Sequence, residues 1–159
     1  MNQPLDNQAL DIRPVWETEL AAMLELLSHL HAQDEPLPAE PALQDVWQHI
    51  LSDPKIHCLV GELDGQLVCT CIMTIVPNLT RGARPYGLVE NVVTHAAYRN
   101  RGIGAQLMQH TLQLAWGAGC YKVMLLSGLH REEAHRFYER VGFEKRRVGF
   151  VAVAPNSPA

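Results

Sequence analysis

The chain has 159 residues, 47% hydrophobic and 19% charged, with a formal net charge of −4. That length suits a single domain over 1–159 with a core of its own, and the acidic balance disfavours a nucleic-acid partner. No apolar run approaches the ~20 residues of a membrane span, and the polar start "MNQPLDNQAL" lacks the layout of a signal peptide, so a cytoplasmic protein away from the membrane is expected.

In chain order, "LDIRPV" (10–15) reads as a first strand. Leu20, Met23, Leu24, Leu27 and Leu30 recur at helical spacing and predict an amphipathic helix over 16–31. After the proline-rich connection "DEPLPAEP", Leu43, Val46, Trp47, Ile50 and Leu51 mark a second helix that stops near Asp53-Pro54. "IHCLVGELDGQLVCTCIMTIVPN" predicts a hairpin about Asp64-Gly65, a pair suited to a type I′ turn. "LTRGARPYG" is a loop and "LVENVVT" (88–94) a strand. A helix follows from about Gly102 to Trp116, ended by Gly117 and Gly119, and "YKVMLLS" (121–127) reads as a buried strand. Ala134, Phe137, Tyr138 and Val141 lie on one face of a last helix, with Gly142 as its C′ residue. "FEKRRVGFVAV" predicts one or two closing strands, and 154–159 a frayed tail. The interleaving of helices and strands, with the hairpin, predicts a mixed sheet.

None of Cys58, Cys69, Cys71 and Cys120 forms a Cys-x-x-Cys pair. They read as unpaired core thiols of a reducing compartment. His29 and His31 sit two apart on a helix and do not make a metal pair, so no metal is expected.

The stretch "AAYRNRGIGAQLMQH" (96–110) runs from a strand through glycines into a helix. The first N–H groups of a helix have no partner within it and carry the positive end of its dipole. Glycines there let a ligand approach the backbone, which makes an anion site suited to phosphate. Arg99 and Arg101 add positive charge. The pattern is neither a P-loop nor Gly-x-Gly-x-x-Gly, and a glycine turn that only packs the helix on its sheet reads as well from these residues alone.

Two motifs lift that ambiguity. Arg99, Gly102 and Gly104 meet an Arg/Gln-x-x-Gly-x-Gly/Ala pattern. Phe137, Tyr138, Gly142 and Phe143 meet a helix-ending Phe-Tyr-x-x-x-Gly-Phe pattern. In this order and at this separation the segment over about 88–146 resembles the GNAT superfamily of acetyl-CoA-dependent N-acetyltransferases. The resemblance implies a mixed, mostly antiparallel sheet of about six or seven strands flanked by about four helices. It implies acetyl-CoA as cosubstrate, its pyrophosphate held by Arg99, Asn100, Arg101, Gly102, Ile103, Gly104 and Ala105, and its pantetheine arm paired along Val92, Val93 and Thr94. A backbone N–H in that strand would polarise the thioester carbonyl, and holding amine and thioester together would supply much of the rate. Tyr138 matches the family's acid for the leaving thiolate, although its place on an apolar face also suits a core residue. Glu90 matches a common carboxylate position for taking the amine's proton; a solvent-facing glutamate or one paired with an arginine fits the strand equally. His95, His130 and His135 are further candidates by chemistry. The usual asparagine of the last helix is replaced by Arg131, which could reach a phosphate instead.

The acceptor is less marked. "GLVENVVTHAAYR" and "GCYKVMLLS" are similar to glucosamine-6-phosphate N-acetyltransferases, and Arg81, Arg84 and Tyr86 in or beside the loop could bind an anionic acceptor; solvated loop arginines are the plain alternative. A small-molecule primary amine is expected as partner, with a peptide or protein amine, or a non-catalytic acyl-CoA-binding domain, as rivals. The apolar "VGFVAV" allows a homodimer through the last strands.

Overall fold

The Asp64-Gly65 hairpin forms the middle of the sheet. Both residues have positive φ, 55° and 76°, as a type I′ turn requires, and they join β2 (Ile56–Leu63) to β3 (Gln66–Val76). This geometry comes from a computed structural model that describes residues 9–31 and 34–155. The expected tail lies outside them from 156 onward. The chain divides after Leu125 into two compact units.

In the first unit the strand order is β1 (Asp11–Pro14), β2, β3, β4 (Tyr86–Thr94), β5 (Val123–Met124). Every neighbouring pair is antiparallel except β4 and β5, which run parallel. The sheet is therefore mixed and mostly antiparallel, as expected, but it has five strands among the described residues rather than six or seven. The helices of this unit are α1 (Leu20–Leu27), entered through a 3-10 turn at Glu17–Glu19, α2 (Ala42–Ser52) and α3 (Ile103–Gly117). The second unit carries α4 (Glu132–Arg140).

The core follows from the alternation of side chains along the strands. Met23, Leu26 and Trp47 from α1 and α2 pack with Val15, Cys58, Val60 and Val93 of the sheet side. Each such fully buried side chain contributes on the order of 2 kcal/mol. On the face that carries Cys71, the Thr111 hydroxyl of α3 donates to the Leu107 carbonyl at 2.8 Å and lies 3.2 Å from Cys71 Sγ. Two glycines let strands close up: a Cβ on Gly61 would meet Cys69 Sγ at 2.5 Å, and one on Gly87 would meet Val123 Cγ2 at 3.1 Å.

A half-buried ion cluster locks β1 to its neighbours. The Arg13 guanidinium donates to both Glu19 oxygens, at 3.0 and 2.7 Å, and to Glu62 on β2, and it stacks 3.5 Å over the Trp16 ring. The Arg13 hydrogen bonds, helped by the Trp16 N–H and opposed by burial, hold the Glu19 carboxyl below its usual 4.5.

Two expectations for the C-terminal part are corrected. "YKVMLLS" forms strand only at Val123 and Met124, and Met124 and Leu126 are 38% and 56% exposed. An apolar run does not by itself specify burial, and this one leaves the sheet after two paired positions. "FEKRRVGFVAV" forms no strand among the described residues, and Val148 and Phe150 stand 76% and 93% exposed. A strand exists only where another pairs with it, and none does so here.

Both glycine helix ends are as the sequence suggests. At α3, Gly119 has φ 79°, its N–H donates to the Trp116 carbonyl, and Cys120 N–H donates to Ala115. At α4, Gly142 has φ 102°, its N–H donates to Glu139, and Phe143 N–H donates to Tyr138. These paired bonds are Schellman motifs. At α4 the accompanying ring contact is Tyr138 with Phe143, at 5.8 Å between centroids. The Phe-Tyr-x-x-x-Gly-Phe pattern thus has a local structural reason, which is to fix the end of α4 and the tyrosine on it.

Candidate active site

The sheet splits between β4 and β5. Their pairing consists of Gly87 with Val123 and Leu88 with Met124. Beyond that point no strand among the described residues pairs with 89–94 on that side. Such an edge offers backbone N–H and C=O groups to an extended ligand. The other edge of β4 follows β3, but the register steps from Ile72–Glu90 to Thr70–Val93, so β4 holds one extra residue. Asn91 takes the left-handed conformation there, at φ 53°, which asparagine tolerates better than most residues. This β-bulge breaks the alternation, leaving Glu90 and Asn91 both exposed while Val89 and Val93 are buried. Of the expected pantetheine strand, Val92 and Thr94 are half-buried and Val93 is buried.

The Glu90 side chain has no hydrogen-bond or ion-pair partner among the described residues, so the arginine-paired alternative is not realised and its carboxylate is open to solvent. Tyr138 is half-buried in the second unit, its ring also edge-on to Phe137 at 5.1 Å. Arg131 is exposed at the N-cap of α4. His130 is exposed, and His135 Nε2 donates to the Gly128 carbonyl at 2.9 Å. Burial pushes the thiols of Cys58 and Cys69 up to about 12 and that of Cys71 to about 11, which makes them poor nucleophiles.

The strand passes into α3 through a 3-10 turn at Ala96–Tyr98. His95 caps that turn, its Nδ1 accepting from Ala97 N–H at 3.2 Å, so a neutral His95 carries its proton on Nε2. Asn100 and Gly102 are both left-handed, at φ 60° and 77°. Gly102 is the N-cap of α3 and no side chain caps the helix. The first intrahelical bond runs from Gln106 N–H to the Gly102 carbonyl, so the N–H groups of Ile103, Gly104 and Ala105 precede it. A Cβ on Gly102 would meet nothing within 4 Å; the glycine is required by its backbone angle, and the space before it is open. Arg101 lies 5.2 Å over the Tyr98 ring. The Arg99 guanidinium turns back on the protein: Nε donates to the Thr94 carbonyl and Nη2 to that of His29, each at 3.1 Å.

At the paired end of the split, sequence reasoning missed two residues. Lys122 Nζ sits 5.3 Å over the Tyr86 ring and 5.5 Å over Tyr121, and the Arg84 guanidinium is 5.9 Å from Tyr121. The loop that delivers Arg84 is shaped by Asn78, whose Nδ2 donates to the carbonyls of Thr80 and Arg84, and by Arg84 Nε donating to the Arg81 carbonyl. Arg81 itself is exposed and left-handed, at φ 57°. Arg84, Tyr86, Tyr121 and Lys122 thus form one cationic, aromatic cluster. In the sequence Lys122 looked like part of a buried strand, which hid it.

The arrangement can therefore hold an anion at a helix N-terminus and an extended chain along β4, with a solvent-open carboxylate beside that edge. Comparison with known proteins shows the family. The family model described as the acetyltransferase (GNAT) family matches residues 22–143. The chain is 33% identical over 135 residues to a glucosamine 6-phosphate N-acetyltransferase of Trypanosoma brucei brucei, covering 84% of this chain and 88% of that protein. It is 28% identical over 109 residues to an aminoalkylphosphonate N-acetyltransferase of Salmonella typhimurium, covering 69% and 70%. A solved structure of a proposed acetyltransferase from Agrobacterium tumefaciens superposes with a TM-score of 0.85 at 40% identity, covering 91% of this chain and 99% of that one. The chain belongs to the GNAT acetyltransferase family and, as a member, is an acetyl-CoA-dependent N-acetyltransferase.

Proposed function

We propose that the chain acetylates the primary amine of a small molecule that also carries a phosphate or phosphonate group. The observation that carries this reading is the Arg84 and Lys122 cluster on the rings of Tyr86 and Tyr121, two residues along the strands from where β4 and β5 part. A guanidinium and an ammonium at one point suit a doubly charged anion. The names of the trypanosomal and Salmonella relatives, one acting on a sugar phosphate and one on a phosphonate, support the same acceptor class.

Acetyl-CoA supplies the activated acetyl group. The N–H groups of Ile103, Gly104 and Ala105, with the turn at Asn100, Arg101 and Gly102, would hold its pyrophosphate at the positive end of α3. The unpaired edge at Val92, Val93 and Thr94 would take its pantetheine arm as an added strand. Glu90, exposed and unpaired, would take the proton that the acceptor's ammonium must lose. Tyr138 would hold a proton at Oη for the leaving sulfur; this role rests on its match to the family motif.

The test is steady-state acetylation of a panel: an amino sugar phosphate, an aminoalkylphosphonate, the unphosphorylated amino sugar and a peptide N-terminus. The phosphate or phosphonate acceptors are expected to exceed the neutral sugar in kcat/KM by about tenfold or more, the worth of one or two charge-assisted contacts. Arg84→Ala and Lys122→Ala should each reduce that ratio. Preference for the peptide or the neutral sugar overturns the anionic-acceptor reading.

A further inference from the structure

Arg99 holds a motif position that invites reading as a phosphate ligand, yet its side chain is committed elsewhere. Its fork bridges two backbone carbonyls 65 residues apart in the chain, Thr94 at the end of β4 and His29 just past the end of α1, at 3.1 Å each. The His29 ring stacks on the His95 ring at 4.2 Å between centroids, and His95 caps the turn that follows β4. Tyr98 on the same turn donates through its hydroxyl to Gln66 Oε1 at 3.1 Å, and His95 N–H donates to the Val68 carbonyl at 2.9 Å. The turn leading to the α3 N-terminus is thus tied to α1, β3 and β4 at once.

We infer that Arg99 is a positioning residue: its side chain braces the cofactor turn against the end of α1 and sets acetyl-CoA affinity through that geometry. The inference rests on the proposal that this turn holds the pyrophosphate. Three physical points support it. A planar guanidinium has donors in a fixed fork, so it can reach two carbonyls in different directions at once, which a single ammonium does less well. Carbonyls at a helix end lack intrahelical partners and take such donors readily. Backbone N–H groups that bind an anion do so well only when they are held in place before it arrives. The consequence is that the end of α1, which contributes no group to the anion site itself, becomes part of what fixes cofactor affinity.

The experiment compares wild type with Arg99→Ala, Arg99→Lys and Arg99→Gln by acetyl-CoA titration at low (about 0.05 M) and high (about 0.5 M) salt. Amide exchange of each protein without ligand is measured alongside. The brace predicts that Arg99→Ala binds acetyl-CoA about fivefold or more weakly, by the same factor at both salt concentrations. It also predicts faster exchange around 28–31 and 95–101 in the unliganded protein. Arg99→Lys, which keeps the charge but not the fork, should fall closer to Arg99→Ala than to wild type, and it serves as the test should the alanine variant not fold. A loss that shrinks at high salt and is repaired by lysine, with unliganded exchange unchanged, makes Arg99 a direct phosphate ligand and overturns the inference. Unchanged affinity overturns it as well, as would altered exchange with unchanged affinity, which marks a purely structural contact. A wild-type protein that binds acetyl-CoA no more tightly than S-acetylpantetheine, which lacks the pyrophosphate, refutes the anion site itself.

Discussion

Replacing Gly102 by aspartate, with asparagine as its control, isolates one negative charge at the mouth of α3. Gly102 is the N-cap, at φ 77° and ψ 0°, and a Cβ built on it meets no atom within 4 Å. Neither replacement clashes. Both bear the left-handed backbone, at a cost of about 1 kcal/mol that Asn and Asp carry more easily than other residues. Their folding stabilities should therefore match to within about 0.3–1 kcal/mol, with aspartate favoured by the helix dipole. Cofactor affinity should run the other way. A carboxylate on residue 102 would stand about 5–6 Å from a pyrophosphate on the N–H groups of Ile103, Gly104 and Ala105. At an effective dielectric of about 40–80 for this exposed position, each like-charge pair costs about 0.7–1.7 kcal/mol. Two phosphate charges then weaken binding roughly tenfold to three-hundredfold. Calorimetric titration of acetyl-CoA into both variants measures this, with thermal melts as the folding control. Equal affinities in the aspartate and asparagine variants would refute an anion site at this helix end.

Tyr138→Phe should lower kcat by about a hundredfold, the usual worth of a positioned proton donor, with little change in acetyl-CoA affinity; full activity would return Tyr138 to a packing role at the end of α4. Gly142→Ala should destabilise the protein by about 1–3 kcal/mol, because φ 102° suits only glycine, and a calorimetric melt at an unchanged temperature would speak against the Schellman end. Glu19→Gln probes the Arg13 cluster. Because Arg13 holds Glu19 below its usual 4.5, the stability this pair gives is present above that value and is lost as pH falls through the lower folded value. The gap between wild type and Glu19→Gln in denaturant titrations should thus narrow on acidification below about 4.5. A gap that stays constant from about pH 7 to about pH 3 would count against the ion pair.

Much of the frame was legible because it is local. Asp64-Gly65 specifies its turn, Gly119 and Gly142 specify their helix ends, and the 3.6-residue spacing of Leu20, Met23, Leu24 and Leu27 marks α1. What the sequence hid is long-range or depends on a missing partner. The Asn91 bulge is set by how β4 lies on β3. The Arg99 bond to His29 joins positions 70 apart. Lys122 meets Tyr86 only because β5 returns parallel to β4. "YKVMLLS" and "VGFVAV" have the composition of strands, yet composition supplies no neighbour to pair with, and strand content was over-counted for that reason.

The open edge at 89–94 has a consequence for the protein before any ligand arrives. Unsatisfied strand groups are a template for the extended segment of another chain, and natural sheets blunt such edges with charge and with bulges. Both devices are present at this point, in the Glu90 carboxylate and the Asn91 bulge. The residue proposed to handle a proton during turnover thus also places a charge where strand addition would otherwise be favoured. Glu90→Gln is expected to make the ligand-free protein more prone to association as well as slower, read by light scattering, and acetyl-CoA, on the proposal that its pantetheine arm takes this edge, should reverse the association.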